Sequence, residues 1–337
     1  MARLHILLFP LLLLFCVAPC RARRKLTFNT DSLLNAKRAK VYLHIDSNYV
    51  RRPLPRLILR VRSSFSGGII HSSNTMTDGT KTKSKLSSNL NHTFSIGASY
   101  MGIALALSVN PSRMFGNSDL EYNIAGYGSR FGGELNYFHS TSYSGYSTIA
   151  GEKTDFPSNS FTQNMLTGSF YYVFSHSRFS YPAALTQTYI QVRSKGSWLL
   201  SLTLTAGNVR FHDNSSVDYI TLHRNSIFLL GVGGGYAYNW VFPHNWLLHL
   251  SFTPTIAVWE RFHATYDDDV QTSEEADNPS HWPGVILTAR SSLIHNFGRK
   301  WFAGITLVSN TTLFDDNPYT VVYLKWRARI TLGVRIW

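Results

Sequence analysis

The chain has 337 residues, of which 44% are hydrophobic and 14% aromatic, and this is too apolar for an intrinsically disordered polymer. Only 15% are charged, yet 32 Lys and Arg residues against 19 Asp and Glu residues leave a formal net charge of +13. So small a number of charged residues, with so large an excess of positive over negative ones, is not typical of the surface of an ordinary soluble protein.

The amino terminus has the three parts of a secretory signal peptide. Arg3 precedes an apolar run over residues 4–17, and small residues follow the run. The run is shorter than the roughly 20 residues that a membrane-spanning helix needs, so we predict a cleaved signal peptide over residues 1–22. Cleavage would remove both cysteines, Cys16 and Cys20, and with them any intrachain disulfide. Lipidation of Cys20 is the less favoured alternative, because a proline precedes it where a lipoprotein site has a small residue.

Residues 23–54 form a predicted periplasmic leader. Asp31 begins a short helical pattern and basic residues end it near Lys40, which is the order of charges that stabilises helix ends. Two prolines then close the leader, and the pattern changes to an alternation with a period of two. We therefore predict a short helix between Asp31 and Lys40, followed by a β-sheet domain over residues 55–337.

In the rest of the chain, apolar residues alternate with small or polar ones, which is the period of a β-strand. The last strand shows the pattern best, because one of its faces is apolar and the other carries three arginines. The apolar face consists of Val322, Leu324, Trp326, Ala328, Ile330, Leu332, Val334 and Ile336. Similar alternation recurs near residues 101–108, 198–205, 228–240 and 246–258, so we predict an all-β fold.

Three features favour an antiparallel transmembrane β-barrel over a secreted β-sandwich, whose strands also alternate. The alternating runs are longer than the strands of globular proteins, which typically have about 5 to 6 residues. Aromatic residues such as Trp246, Trp301 and Phe302 collect at the ends of the runs, as in girdles at the bilayer interfaces. The apolar faces also carry almost no charge. In the sandwich alternative, Ile330 and Leu332 would be buried in a dry core.

Short turns and longer loops alternate between the predicted strands, as they do between the periplasmic and extracellular ends of outer-membrane barrels. Counting under this rule gives about twelve strands, within a range of roughly 10 to 14. Residues 176–195 interrupt the alternation, and we predict an irregular periplasmic or lumen-facing connection with a helical turn after Pro182. A further strand hairpin at 176–195, giving about fourteen strands, is the alternative.

Several segments of the chain resemble one known family. They are FSIGASYMGIALALSVNP, FSYPAALTQTYIQ, KGSWLLSLTL and GGGYAYNWVFPHNWLLHLSFTP. In this order they resemble the outer-membrane barrel family of Bacteroidetes that is catalogued as a domain of unknown function, and the resemblance covers roughly residues 40–337. The resemblance implies export and an outer-membrane barrel, and it provides no catalytic residues.

The strongest candidate for a functional site is a row of basic residues on the lumen face. Closure of a barrel pairs its first and last strands, so the arginines of both strands would line one seam. They are Arg60, Arg62, Arg327, Arg329 and Arg335. Such a row would favour anions, as rings of arginine do in anion pores. The alternative is a filled lumen in which carboxylates of neighbouring strands neutralise the arginines. Those carboxylates are Asp119, Glu121 and Glu134.

Other chemical signals in the sequence are weak. Asp267, Asp268 and Asp269 are weak metal candidates, because their spacing does not match a calcium-binding loop, and we predict neither a metal site nor a cofactor. The linear sequence contains no catalytic motif. His249 and Ser251 share a strand face, which a polar lumen lining explains without catalysis.

We therefore expect a bacterial outer-membrane barrel, exported through a cleaved signal peptide, whose partners are outer-membrane lipid, lipopolysaccharide and the barrel-insertion machinery. The basic residues are spread along strand faces, so we expect no binding of nucleic acid, and the sequence names no protein partner. The expected function is a channel for small polar or anionic solutes, or a structural role in the envelope, without enzymatic activity. A membrane-embedded hydrolase acting on lipid or envelope substrates is the alternative.

Overall fold

The computed structural model describes residues 44–51, 57–75, 79–100, 103–111, 119–158, 160–211, 222–266, 283–298, 300–316 and 319–336. From Ile45 onward these residues belong to one compact unit. The predicted signal peptide and the predicted leader helix lie outside the described residues.

The described residues form an almost entirely β structure with one short α-helix, α1 (Tyr181–Leu185), and a 3₁₀ turn (Pro243–Asn245). The strands are β1 (Val50–Arg51), β2 (Leu57–Thr75), β3 (Lys81–Ser87), β4 (Asn91–Tyr100), β5 (Ile103–Val109), β6 (Leu120–Tyr127), β7 (Phe131–Ser140), β8 (Ser144–Ile149), β9 (Glu152–Phe156), β10 (Phe161–Val173), β11 (Ile190–Gln191), β12 (Lys195–Phe211), β13 (Leu222–Phe242), β14 (Trp246–Tyr266), β15 (Val285–Phe297), β16 (Trp301–Asp316) and β17 (Tyr319–Ile336). Within the described ranges, no helix is long and apolar enough to cross a bilayer.

Antiparallel pairing joins the strands into one long curled sheet. The order is β6-β7-β10-β12-β13-β14-β15-β16-β17-β2, and β2 then pairs with both β3 and β4, which follow one another along its length. β5 pairs with the far edge of β4. The ladder between β17 and β2 runs from Tyr319–Asn74 to Ile336–Leu57. The first and last long strands therefore meet, as closure of a barrel predicts.

Counting β3 and β4 as one interrupted strand, twelve strands of the described chain form the curled wall. This agrees with the predicted count of about twelve. The β8–β9 hairpin adds two further strands, because β8 pairs with β3 at one end of the wall. Within the described residues no ladder joins β5 to β6, which are the two ends of the wall's pairing path.

The two faces of the sheet differ in polarity as the alternation predicts. Ile330 and Leu332 are 52% and 50% exposed on the outer face, whereas Thr331 between them is buried on the inner face. The outward side chains of other strands are also apolar and exposed, among them Leu59, Ile96, Leu107, Leu202, Phe252 and Ile305. A broad apolar exterior of this kind is rare in soluble monomers and is the lipid-facing surface of a transmembrane barrel. The sandwich alternative, which requires Ile330 and Leu332 in a dry core, is wrong.

Aromatic residues lie at the margin of this apolar surface, with one exception to the prediction. Trp246 and Trp301 are exposed on the outer face near the start of their strands. Phe302, which was also expected in the girdle, is fully buried because it follows Trp301 and therefore points to the opposite face. Its ring lies beneath the Arg335 guanidinium, whose central carbon is 4.6 Å from the ring centroid.

The two ends of the wall have different connections. At the turn end, the 3₁₀ turn joins β13 to β14 and a turn at Gly298, with a φ of 62°, joins β15 to β16. At the loop end, the connections include residues 212–221 and 267–282, which lie outside the described residues. The predicted alternation of short and long connections is consistent with these two ends.

Residues 174–194, which we call the plug, connect β10 to β12 at the turn end and fold into the lumen. Ser180 caps α1 by accepting a hydrogen bond from Ala183 N at 3.2 Å, and Pro182 lies in the first helical turn, where its missing N–H costs nothing. β11 pairs with β1 and with no strand of the wall. The predicted lumen-facing connection with a helical turn is confirmed, and the alternative of a further wall hairpin at 176–195 is wrong.

Candidate lumen site

A column of cations, which we call the ridge, runs along the inner face where β2 pairs with β17. Each of six successive inward rungs of this ladder carries one basic residue. From the turn end, the rungs are Ile58–Arg335, Arg60–Gly333, Arg62–Thr331, Ser64–Arg329, Ser66–Arg327 and Gly68–Lys325. Successive rungs on one face are roughly 7 Å apart, so each charge has a like charge as its neighbour. The ridge contains all five predicted arginines and also Lys325.

The upper ridge, Lys325 and Arg327, is neutralised by two glutamates from β6 and β7. Arg327 forms ion pairs with Glu134 and Glu121, and its Nη1 lies 3.7 Å from Glu121 Oε1. Lys325 Nζ lies 3.4 Å from Glu121 Oε2, which also accepts a hydrogen bond from Ser66. These charged side chains are no more than 10% exposed, so each depends on its partner to offset the cost of burial.

Neutral side chains complete the surroundings of Glu134. Tyr127 donates a hydrogen bond to Glu134 Oε2 at 2.9 Å, and Asn123 Nδ2 donates to Oε1 at 2.8 Å. Asp119, the third predicted carboxylate, is buried and accepts a hydrogen bond from Ser142 Oγ at 2.6 Å. Among the described residues, the ion pairs of Arg327 go to the two glutamates.

The lower ridge, at the turn end, has no carboxylate at salt-bridge distance within the described chain. Its members are Arg60, Arg62, Arg329 and Arg335. Arg60 Nη2 donates to the Thr186 carbonyl of the plug at 2.8 Å, and Arg335 Nη2 donates to the Gln187 carbonyl at 3.2 Å. Backbone carbonyls just beyond α1, which carry only partial charge, therefore replace the carboxylates of the upper ridge.

An apolar cluster holds the plug inside the barrel. Phe179, Tyr181 and Leu185 are almost fully buried and pack against inward residues of β10 and β12 to β15. The centroid of the Tyr181 ring lies 4.6 Å from that of Tyr171 in β10 and 5.1 Å from that of His249 in β14. The plug is thus packed like part of a protein core.

Polar contacts fix the plug to the wall. Asn239 Nδ2 donates to the Ser180 carbonyl at 3.0 Å and to Gln191 Oε1 at 3.1 Å. Asn239 Oδ1 lies 2.7 Å from His249 Nδ1, and the His249 side chain is completely buried. Ser251, the neighbour of His249 on the same face, is also buried. Both residues line the lumen, as the polar-lining interpretation predicts.

The described part of the predicted leader lies against the plug. β1 pairs with β11, and Val192 N donates to the Tyr49 carbonyl at 2.7 Å. Arg178 Nε lies 3.2 Å from Asp46 Oδ2 in a partly exposed ion pair. Residues 46–51 therefore also hold the plug in place, through β1 and the Asp46–Arg178 ion pair.

Two small cavities lie in the described part of the lumen. One cavity lies between the plug and the ridge, and its lining includes Leu185, Tyr127, Arg327 and Arg329. It has room for roughly one water-sized molecule. A second cavity of similar size is lined mainly by small polar residues of β10, β12 and β15. In the part of the chain that the structure describes, the plug and the ion-paired side chains of Glu121, Glu134 and Arg327 occupy the lumen beside the ridge.

Ridge, plug and leader contacts all lie within one family domain. The family model described as "Domain of unknown function (DUF4421)" matches residues 44–335. The chain belongs to the DUF4421 family. The description of this family names no activity, and a search among curated proteins finds no match.

Solved structures with some similarity to the DUF4421 chain are outer-membrane proteins. The outer membrane protease OmpT from Escherichia coli has a TM-score of 0.40 at 7% sequence identity, covering 84% of this chain and 97% of that chain. The translocator domain of autotransporter NalP from Neisseria meningitidis has a TM-score of 0.31 at 10% identity, covering 91% and 98%. OprG from Pseudomonas aeruginosa has a TM-score of 0.27 at 11% identity, covering 84% and 97%. These scores are low, and nothing about activity or substrate follows from them.

The sequence analysis missed several lumen residues of the DUF4421 domain. Lys325 extends the ridge by one rung, and its alternation with the ridge arginines is the signal that identifies it. Arg290 is buried on the inner face of β15, where its Nη2 donates to Ser169 Oγ at 2.7 Å. Alternation with Thr288 also identifies Arg290 as inward. No sequence signal could indicate Tyr127, because its contact with the carboxylate depends on how two strands pair.

One missed pair lies on the outer surface of the barrel. Ser63 Oγ lies 2.8 Å from His92 Nε2, and this contact joins β2 to β4. Ser63 shares the outward face of β2 with the exposed residues Leu59 and Val61. The His92 ring stacks on the Phe65 ring with centroids 4.6 Å apart. Ser63 and His92 are 29 residues apart, so no linear motif indicates them.

The candidate metal ligands cannot be placed in this fold. Asp267, Asp268 and Asp269 lie outside the described residues. Among the residues that are described, no group of three or more His, Cys, Asp or Glu side chains is arranged to hold a metal ion.

Proposed function

We propose that this protein is a gated conduit for small anions in the bacterial outer membrane, and that its closed form is the one described above. The observation that carries the proposal is the ridge, in which six successive rungs carry one cation each. Four of these cations have no carboxylate partner in the described chain. A column of fixed positive charge lowers the barrier for anions and raises it for cations.

The apolar exterior supports the outer membrane as the location in this proposal. Its surroundings would be outer-membrane lipid and lipopolysaccharide, and the barrel-insertion machinery would be the partner that inserts it. The turn end would face the periplasm, because short turns lie on that side of outer-membrane barrels.

The plug is the gate in this proposal. It contacts Arg60 and Arg335 through backbone carbonyls, which an incoming anion can replace as hydrogen-bond acceptors. Its strand β11 pairs only with β1, so the plug can leave the lumen without breaking a ladder of the wall. Segments that open independently of the main ladders are typically the less stable parts of a fold.

Deletion of the plug tests the proposal in planar bilayers. Replacing residues 177–194 with a short Gly-Ser linker keeps the ladder between β10 and β12, which ends at Val173–Leu199. We expect the full chain to be closed for most of the recording. The plug-deleted chain is expected to conduct steadily and to prefer chloride over potassium.

A matched control shortens the loop at residues 267–282 by the same length and leaves the plug in place. Equal steady conductance of this control and the plug-deleted chain would contradict gating by the plug. Silence of a folded, plug-deleted chain across many insertions would contradict the conduit and would favour the structural envelope role.

A second candidate function, a membrane-embedded lipid hydrolase, rests on Ser63 and His92. A serine hydroxyl bonded to histidine Nε2 is the nucleophile and base arrangement of many acyl hydrolases, and here it faces lipid. The test is fatty-acid release from phospholipid by the purified chain, its S63A variant and the inward control S64A. Activity that is lost in S63A alone supports the hydrolase, and an inactive wild-type chain contradicts it.

A further inference from the structure

Two guanidinium groups of the lower ridge have no hydrogen-bond acceptor in the described chain. Arg62 and Arg329 occupy adjacent inward rungs, opposite Thr331 and Ser64. Their Nε atoms are buried without a hydrogen-bond partner. At the turn end of the ridge, the Nε atoms of Arg60 and Arg335 are also buried without a partner, but each of these two side chains donates from Nη2 to a carbonyl of the plug.

These two guanidiniums also repel one another. Arg62 experiences the positive charges of both Arg329 and Arg60, whereas Arg329 also experiences the negative charges of Glu134 and Glu121. Both side chains are partly buried, which reduces the water that screens this repulsion, and a charge that loses hydration without gaining a partner is costly. A compact anion between the two groups would both satisfy their donors and cancel the repulsion.

The cavity beside Arg329 limits the size of such an anion. The cavity next to Arg329 has room for roughly one water-sized molecule. Glu134 also lines this cavity, but its carboxylate is already bonded to Arg327, Tyr127 and Asn123. A monatomic anion is close to this size, whereas a tetrahedral oxyanion is larger. Arg62 is not among the residues that line the cavity, so its guanidinium would reach the anion from the neighbouring rung.

We propose that the lumen of this protein contains a binding site for one halide-sized inorganic anion, held between the guanidinium groups of Arg62 and Arg329. The class of ligand rests on the proposed function, but binding requires no conduction, so the two proposals can fail separately. The site lies just above the contacts between the ridge and the plug, and it can be filled while the plug is in place.

Chloride is the probe for a direct test on the refolded full chain in zwitterionic detergent. The ³⁵Cl NMR linewidth is measured during a chloride titration, with gluconate keeping the ionic strength constant. We expect saturable broadening that bromide reverses and gluconate does not. The double variant R62M/R329M is expected to weaken chloride binding by at least about tenfold.

Arg261→Met is the matched control, because Arg261 is an exposed arginine on the outer part of β14. It should bind chloride like the wild type. Far-UV circular dichroism of every variant establishes that the barrel has folded. Unchanged chloride binding by folded R62M/R329M, or a wild-type chain without saturable broadening, would overturn the proposal.

Anomalous scattering from crystals grown in bromide is a second measurement, and it does not depend on any variant. The proposal requires an anomalous bromide peak between Arg62 and Arg329. Peaks confined to other sites would overturn it. Chloride binding by a plug-deleted chain that never conducts would support the site and contradict the conduit. Conduction by a plug-deleted chain that does not bind chloride would contradict the site and support the conduit.

Discussion

The upper and lower halves of the ridge both consist of cations on the inner face of the β2–β17 ladder, but they are neutralised in different ways. In the upper half, Arg327 is paired with the carboxylates of Glu121 and Glu134. In the lower half, Arg335 donates to the neutral Gln187 carbonyl and to the Asn296 amide oxygen. The difference arises from what lies opposite each half, namely β6 and β7 for the upper and the plug for the lower.

This contrast separates a structural from a functional use of the same side chain. A buried cation with fully bonded carboxylate partners stabilises one arrangement of the strands that it joins. A cation that has only neutral oxygen acceptors, or no acceptor, keeps an attraction for anions that the fold has not satisfied. Under the proposed function, the upper ridge cross-links strands and the lower ridge contacts the solute.

The largest expected effect comes from breaking the upper ridge. Arg327→Met removes the shared partner of two buried glutamates, and leaving such charges unpaired typically costs about 3 to 5 kcal/mol. We expect the free energy of unfolding of the refolded barrel in lipid vesicles to fall by this amount in urea titrations. A loss below about 1 kcal/mol would mean that the network is solvated and not structural.

An intermediate effect is expected where the plug meets the wall. Asn239→Ala removes two hydrogen bonds to the plug and the partner of His249 Nδ1. Loss of buried partners typically costs about 1 to 3 kcal/mol. Hydrogen exchange of the plug amides should accelerate accordingly, while exchange in β16 stays unchanged. Equal acceleration in both regions would show that the plug and the wall open together.

The smallest change in stability is expected in the lower ridge. Arg329→Met removes a charge that has no carboxylate at salt-bridge distance and relieves repulsion, so the free energy of unfolding should change by less than about 1 kcal/mol or rise. Arg329 and Arg327 lie two residues apart on the same face, so each substitution is the matched control for the other. Equal destabilisation by both would remove the distinction between the two halves.

Strand positions and the lumen face could be predicted because they depend on local alternation. The period of two alone predicts that Ile330 and Leu332 point outward and that the neighbouring arginines point inward. The lumen-facing connection could also be predicted, since Pro182 interrupts the strand pattern and starts a helical turn. Phe302 was assigned to the wrong face because aromatic clustering was given more weight than alternation.

The division of the ridge could not be predicted from the sequence. It depends on which elements lie across the lumen, and nothing local to β17 distinguishes Arg327 from Arg329. For the same reason, the sequence could not predict that Asp119 accepts a hydrogen bond from Ser142. The outward contact of Ser63 with His92 depends on the register of β2 against β4, which single-sequence reasoning does not determine.

The most direct test of the central claim is the reversal potential of the plug-deleted barrel across a potassium chloride gradient. If the lower ridge is not neutralised, the reversal potential has the sign that chloride selectivity gives. In the plug-deleted chain that carries Arg62→Met and Arg329→Met, the reversal potential shifts toward zero. A potential of the opposite sign, or the same value with and without these two arginines, would contradict the account.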